Sequence, residues 1–298
     1  MDYGRALRFG YFLTPGADDA AGLLRTARIV DRSGLDVLGI QDHPYVPAFL
    51  DTWTLLSAIG AVTERVHLFP DVANLPLRPP ALLAKAAASL DRITGGRVEL
   101  GLGSGAAMEG VAALGGTALS RGDALGALED AVTVIRQMWS GAPSVRWEGR
   151  FYSLRGVHPG PSPAHPIGVW LGVLGPRAVA LAGRIADGWV PSSSYVAPAR
   201  LTELAGRLDE AAIAVGRQPG ELQRLYNVMG EITDGRSRGF LQGPPSQWGE
   251  ELAEVALEQG MDTFVLATTP GEAPIRRFAE EVAPEVRRLV DRERARRE

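Results

Sequence analysis

The chain has 298 residues, 45% apolar and 22% charged, an ordinary globular balance with enough length for one large α/β domain. A formal net charge of −4 leaves no electrostatic footprint for nucleic acid, and the basic cluster Arg292–Arg297 is interleaved with acids, as on a solvated helix end. The absence of cysteine excludes disulfides, thiolate nucleophiles and thiolate-held metals, and the sole lysine, Lys85, sits in an alanine-rich helical stretch that does not suit aldimine or Walker-type chemistry.

Eight short apolar runs follow in chain order: RFGYFL (Arg8–Leu13), VLGI (Val37–Ile40), HLFPDV (His67–Val72), VELGLG (Val98–Gly103), IGVWLG (Ile167–Gly172), WVPS (Trp189–Ser192), LYNVMGEI (Leu225–Ile232) and TFVLAT (Thr263–Thr268). Strands buried on both faces have this composition. Eight strand–helix repeats predict an α/β fold, a (β/α)8 TIM barrel forming one domain over residues 1–298. Between the first two runs, Asp18 and Asp19 can cap a helix carrying Leu23, Leu24, Ala27 and Val30 at helical spacing. Residues 52–62 and the stretch opened by Pro79-Pro80 continue the rhythm. After the fourth run the rhythm breaks, and an insertion is expected at about residues 106–166. It would contain an amphipathic helix (Arg121–Trp139), a hairpin within VRWEGRFYSL and the proline-rich HPGPSPAHP. Asp234–Ser246, rich in glycine and proline, suits either a mobile loop after the seventh strand, closing over the site, or a disordered one.

Barrels of this kind build their sites after the strand ends, so those residues form the shortlist. Asp42-His43 follows the second strand, where an imidazole is suited to proton transfer or to fixing its own loop. Pro70 interrupts the third run, so Asp71, Val72 and Asn74 mark either a bulge that presses on a flat ligand or an ordinary loop. Gly103 and Gly105 strip side chains from the end of the fourth strand. Gly172, Gly175, Pro176 and Arg177 end the fifth strand and open a helix, whose free N–H groups together with the guanidinium would suit a phosphate. Trp189 is expected in the core. The four histidines show no metal-ligand spacing, so no metal site is predicted.

Taken together, FGYFLTP, GLDVLGIQDHPY, TERVHLFPDVANLPLRPPALLAKAAASLDRITGGRVELGLGSG, GVLGPRAVALAGRIADGW and GMDTFVLAT resemble the bacterial luciferase-like family of flavin- and deazaflavin-dependent oxidoreductases. The resemblance runs from about Arg8 to Arg288. It implies a tricyclic redox cofactor at the carboxyl face, backed by a bulge with a non-prolyl cis peptide, here Asp71-Val72. It also implies His43 beside the redox centre as the catalytic residue, Gly103 and Gly105 along the ring, and Gly175, Pro176 and Arg177 on the phosphate. SRGDALGALEDAVTVIRQMW followed by WEGRFYSL looks more like the branch using the deazaflavin F420, with flavin mononucleotide (FMN) monooxygenases as the alternative. The expected partner is a small organic substrate, with no nucleic acid or membrane, and the resemblance implies a homodimer. No secretory leader is read, so a cytoplasmic location is expected. Two rivals stand beside this reading. One is a metal-dependent barrel hydrolase using His43, His67, Asp42 and Asp187; the other is a non-catalytic cofactor-binding protein.

Overall fold

A computed structural model describes residues 1–297. The strands in chain order are β1 (Arg8–Leu13), β2 (Val37–Ile40), β3 (His67–Pro70), β4 (Ala73–Asn74), β5 (Leu100–Gly103), β6 (Val145–Glu148), β7 (Ser153–Val157), β8 (Val169–Leu171), β9 (Gly188–Trp189), β10 (Gln223–Met229), β11 (Glu231–Ile232), β12 (Gln242–Gly243) and β13 (Thr263–Ala267). The helices are α1 (Ala20–Arg32), α2 (Thr52–Gly60), α3 (Pro80–Thr94), α4 (Met108–Ala113), α5 (Arg121–Trp139), α6 (Pro176–Ile185), α7 (Pro198–Ile213), α8 (Pro245–Gln259), α9 (Glu272–Arg277) and α10 (Ala283–Arg297).

The main sheet is parallel, in the order β3-β2-β1-β13-β10-β9-β8-β5-β4. A parallel bridge between Leu68 and Val98 joins the two ends into a barrel. The third predicted run is thus split: β3 pairs with β2, and after two residues the chain re-enters the sheet as β4 beside β5. The interruption comes where Pro70 withholds a donor from the ladder. β1 and β2 match their predicted runs, β9 and β10 begin earlier than predicted, at Gly188 and Gln223, and the other runs are trimmed at their ends. Gly230 parts the predicted seventh run into β10 and β11.

Side chains alternate between the two faces of each strand. Inward positions Val37, Phe69, Trp170, Val190, Leu225 and Val265 pack as a plug inside the ring. Outward positions such as Leu38, Leu171, Trp189, Tyr226 and Phe264 join the helix layer in a second, larger cluster. Trp189 is fully buried there and donates Nε1–H to Val173 O at 2.8 Å. Each fully buried aromatic or leucine stabilises the fold by roughly 1.5–3 kcal/mol.

The stretch expected as an insertion contains one of the barrel's own outer helices. α5 packs against both α3 and α6, the place of the helix after the fourth barrel strand. Ser120 caps it by accepting from Asp123 N, and the buried face includes Leu128, Val132 and Ile135. The additions are α4 and the β6–β7 hairpin, whose turn reaches back to α5 through Phe151 N to Asp130 at 2.7 Å. The proline-rich segment is held against α3, where Asp91 accepts from Ala164 N at 2.7 Å. The stretch after β10 carries the β11–β12 pair, the fully buried Leu241 and an Arg277–Asp234 ion pair of 2.7 Å.

Candidate active site at the carboxyl end of the barrel

The inward alternation that fills the plug continues one layer further up and builds the floor of a cavity. Two residues beyond Phe69, Trp170, Leu225 and Val265 stand Asp71, Gly172, Asn227 and Ala267, and all four line the same space of about 840 Å³. Clefts of a few hundred to about 1,000 Å³ are the size that takes a cofactor or a drug-sized ligand.

The wall beside β3 and β4 is the Asp71-Val72 turn, whose peptide bond is cis. Val72 presses into the ring end between β5 and β8, and only glycine fits opposite it. A Cβ on Gly103 or Gly172 would come 2.7 Å from Val72 Cγ2. These glycines therefore make room for the bulge as well as for a ligand. Gly105 lines the cavity with a positive φ of 95°, a conformation that glycine adopts at no steric cost.

Asp42 is 2% exposed, and its carboxylate is spent on structure. It accepts from Asn74 N at 2.9 Å and is gripped by Arg78, with Nε–Oδ2 at 2.6 Å and Nη2–Oδ1 at 2.7 Å. Arg78 also bonds Asp51 at 2.6 Å, so one guanidinium ties the second strand end to the bulge and to the start of α2. Sequence reasoning missed Arg78, which lies 36 residues from Asp42 and has no motif of its own.

His43 lines the cavity half-buried, its Nδ1 2.6 Å from the Tyr45 hydroxyl. Burial lowers the imidazole pKa from its ordinary value, opposed by the charge on Asp42. Burial likewise raises the Tyr45 phenol. The pair is therefore neutral at pH 7, with Nδ1 engaged and Nε2 left for a ligand. Gly110 of α4 packs on the Tyr45 ring, which is how the added helix supports the histidine.

Of the residues expected on a phosphate, Gly175 lines the cavity, and it is joined there by Ala178 in the first turn of α6. Pro176 does not line it. Arg177 is corrected: its side chain lies in a shallow depression of about 380 Å³ between α5 and α6, with Glu129 and Arg184. Successive residues of a helix point about 100° apart, so Ala178 and Arg177 cannot face the same side. The start of α6 thus offers backbone N–H groups to the cavity, without the guanidinium.

Asn227, Ser192, Ser194, Tyr195 and Phe12 also line the cavity and were not read from the sequence. For Asn227 a signal existed: it shares the inward parity of the buried Leu225 close to the carboxyl end of β10. Its Nδ2 donates to Asp71 Oδ1 at 3.1 Å and to Ser192 Oγ at 3.2 Å. The cavity residues fit a flat polar ligand, because Asp71 Oδ2, Asn74 Oδ1 and Asn227 Oδ1 are buried without a protein partner. Such atoms cost about 1–3 kcal/mol each unless something bonds them.

The constellation of the rival hydrolase does not form. His67 lies at the opposite, amino end of the ring, 3.8 Å from Glu99, and burial with the nearby Arg8 charge pushes its pKa down to about 4. Asp187 accepts from Val169 N at the start of β8. Among the described residues no three His, Asp or Glu side chains converge as metal ligands.

A parallel eightfold barrel with a glycine-flanked cis bulge, a histidine and an open helix start around one cavity defines a class of ligand-binding barrel enzymes. The chain belongs to the luciferase-like monooxygenase family, whose profile it matches over residues 7–237. It is 31% identical over 244 residues to an F420-dependent glucose-6-phosphate dehydrogenase of Nakamurella multipartita, covering 78% of this chain and 70% of that one. Among solved structures it superposes on an F420-dependent secondary alcohol dehydrogenase in complex with an F420-acetone adduct, with a TM-score of 0.83 at 20% identity over 95% of this chain and 99% of that chain. An F420-dependent tetrahydromethanopterin reductase from Methanopyrus kandleri gives 0.82 at 18% identity, over 95% of this chain and 100% of the other.

Proposed function

We propose that this protein is an oxidoreductase that holds the deazaflavin F420 non-covalently in the cavity and exchanges a hydride with a small organic substrate. The observation that carries the reading is the convergence of His43, the Asp71-Val72 bulge and the start of α6 on one cavity at the carboxyl end. The family membership and the F420-dependent relative support it.

When bound, the deazaflavin supplies two-electron hydride chemistry, and the protein supplies position and exclusion of water. Val72, Gly103 and Gly172 form the wall for the ring. The backbone N–H groups opening α6, including that of Ala178, bind the phosphate, favoured by the positive end of the helix dipole. Asp42 and Arg78 hold the bulge in register with β2. With the Tyr45 hydroxyl donating to Nδ1, the neutral His43 carries its proton on Nε2 and presents it to the reacting group of a substrate.

Absorbance titration of the cofactor-free protein with F420 and with FMN tests the reading. Tighter binding of F420 is expected, and tighter binding of FMN would overturn the order. The reading extends to a cytoplasmic homodimer. Among the described residues no helix is long and apolar enough to cross a membrane, and α3 leaves Leu82 and Ile93 exposed for a partner copy. Sedimentation velocity reports the oligomeric state.

A further inference from the structure

The closed order of the sheet sets which strand ends face one another across the cavity. Half a turn apart on the ring, β10 stands opposite β3, β13 opposite β5, and β1 opposite β8. The Asp71-Val72 bulge, Gly103 and Gly172 thus occupy one side, and the last inward positions of β1, β13 and β10 the other. Those positions are Phe12, Ala267 and Met229, and all three line the cavity. Parity places them there. Phe12 lies two residues beyond Gly10, which pairs with Val37 of the plug, while Ala267 and Met229 continue the alternation of Val265 and Leu225.

This far wall is apolar and partly open. Met229 is 49% exposed and Tyr195, at the rim, 71%, so two exposed large hydrophobic side chains of the chain belong to this one cavity. Open apolar side chains beside a cavity gain when a ligand covers them. Positive charge is missing: among the described residues no lysine or arginine lines the cavity. Arg78 is engaged by Asp42 and Asp51, and Arg177 lies in the depression between α5 and α6. Arg236 and Arg238 are exposed on the β11–β12 loop, outside the lining. The α6 start serves one anion, the cofactor phosphate. A second anion would be desolvated here with no cation to meet it.

We propose that the substrate is an uncharged carbonyl compound whose apolar flank lies on Phe12, Ala267 and Met229, or the alcohol formed from it, and that sugar phosphates and carboxylates are rejected. The inference rests on the cavity being the cofactor site, and it names the substrate class of that site. The glucose-6-phosphate dehydrogenase of Nakamurella multipartita takes a sugar phosphate; this wall has no group to hold one. His43, at the end of β2 beside β1, keeps Nε2 accessible and unbonded. In the reducing direction the carbonyl carbon receives a hydride, a proton with two electrons, from the reduced deazaflavin. The C=O π bond opens, and its electron pair on oxygen takes the Nε2 proton of His43. Tyr45 gives its hydroxyl proton to Nδ1, and solvent returns one to Tyr45. An uncharged alcohol and the oxidised cofactor result, and the reverse sequence oxidises the alcohol.

A matched pair of ketones tests the wall. The compounds para-methylacetophenone and para-acetylbenzoate differ by a methyl group against a carboxylate. Each of them, and glucose-6-phosphate beside them, is titrated into the protein loaded with oxidised F420, with Kd read from the shifts of the His43 ring protons. The neutral ketone is expected to bind at least about tenfold tighter than the carboxylate and to reoxidise reduced F420, and the sugar phosphate to leave the His43 signals unmoved. Met229→Arg, at a half-exposed position, is expected to improve binding of the carboxylate by about tenfold and so narrow the preference. A carboxylate or sugar phosphate that binds as tightly as the neutral ketone overturns the proposal. So does a neutral ketone that fails to bind or to reoxidise reduced F420, or a preference unmoved in Met229→Arg. Failure of F420 to bind instead overturns the cofactor reading, and the same titrations of the cofactor-free protein then uphold or overturn the selectivity of the wall.

Discussion

Replacing Asp71 by Asn should make the protein's stability less sensitive to pH, in a window set by the buried carboxyl. The group moves from 3.8 when unfolded to about 7 when folded, raised by burial and held back in part by the bond from Asn227. Below 3.8 both states carry the proton and the carboxyl contributes no pH dependence. Between 3.8 and about 7 the native state keeps a proton that the unfolded chain has lost, so the unfolding free energy falls as pH rises. A tenfold change in proton affinity is worth about 1.36 kcal/mol. Raising the carboxyl from 3.8 to about 7 therefore costs the wild type about 4 kcal/mol by neutral pH. An asparagine still offers Oδ1 to Asn227 and titrates nowhere in the window. Denaturant unfolding of both proteins at unit steps from about pH 4 to about pH 8 gives the difference directly. It should tilt towards the variant by roughly 1.4 kcal/mol per pH unit and level off near the folded-state pKa. Depressed carboxyls such as Asp31 and Asp51 have the opposite slope, but they occur in both proteins and cancel. A difference independent of pH would refute the reasoning, because it would mean that Asp71 ionises alike in both states.

The other predictions concern the rest of the site. Arg78→Leu leaves the buried Asp42 without its cation and should cost about 3–5 kcal/mol in denaturant unfolding, most of it recovered when Asp42→Asn is added. At the start of α6, Gly175→Asp has no steric obstacle and should weaken F420 binding by more than about tenfold through charge at the helix end, whereas Arg177→Ala should shift it by less than about threefold. The His43 ring protons should titrate by NMR with a midpoint below 6.5, so protonation sets in only on the acid side of the ordinary value. Gly101→Ala would bring a Cβ to 2.1 Å from Pro70 O and should lower stability by about 1–3 kcal/mol or abolish folding, read by thermal unfolding.

The barrel was legible because its strands are short runs punctuated by glycine and proline, and burial on both faces forces them to be apolar throughout. That His43, Asn74 and the glycines line the cavity follows from the rule that residues after strand ends face the carboxyl end of the barrel. What the sequence hid depends on closure of the ring. Asp71 and Asn227 lie 156 residues apart, and no local pattern announces that their inward parity brings them to one level. Arg177 failed for a different reason: composition places a cation at a helix start, but only the rotation of α6 decides whether the side chain or the backbone faces inward. Asp42 was identified as part of the site for its place after β2, and its carboxylate is instead consumed in holding the bulge.

The ionisable side chains nearest the cavity floor are each neutralised, Asp42 by Arg78 and His43 by burial, and Arg177 is turned aside. The floor therefore recognises a ligand through backbone amides, an amide side chain, hydroxyls and one carboxyl with no counter-charge. Such a surface gains from burying a flat ring whose own edge supplies donors and acceptors, since each orphaned atom left unpaired would cost about 1–3 kcal/mol. A ligand lacking those edge groups would leave Asn74, Asn227 and Asp71 unsatisfied together. Discrimination by the floor thus comes from hydrogen-bond pairing, and it should survive high salt. Raising salt to about 0.5 M is expected to leave the wild-type Kd for F420 within about threefold, and to restore part of the affinity lost in Gly175→Asp, because the added repulsion is screened. A wild-type Kd that weakens strongly with salt would place recognition in charge rather than in hydrogen-bond pairing.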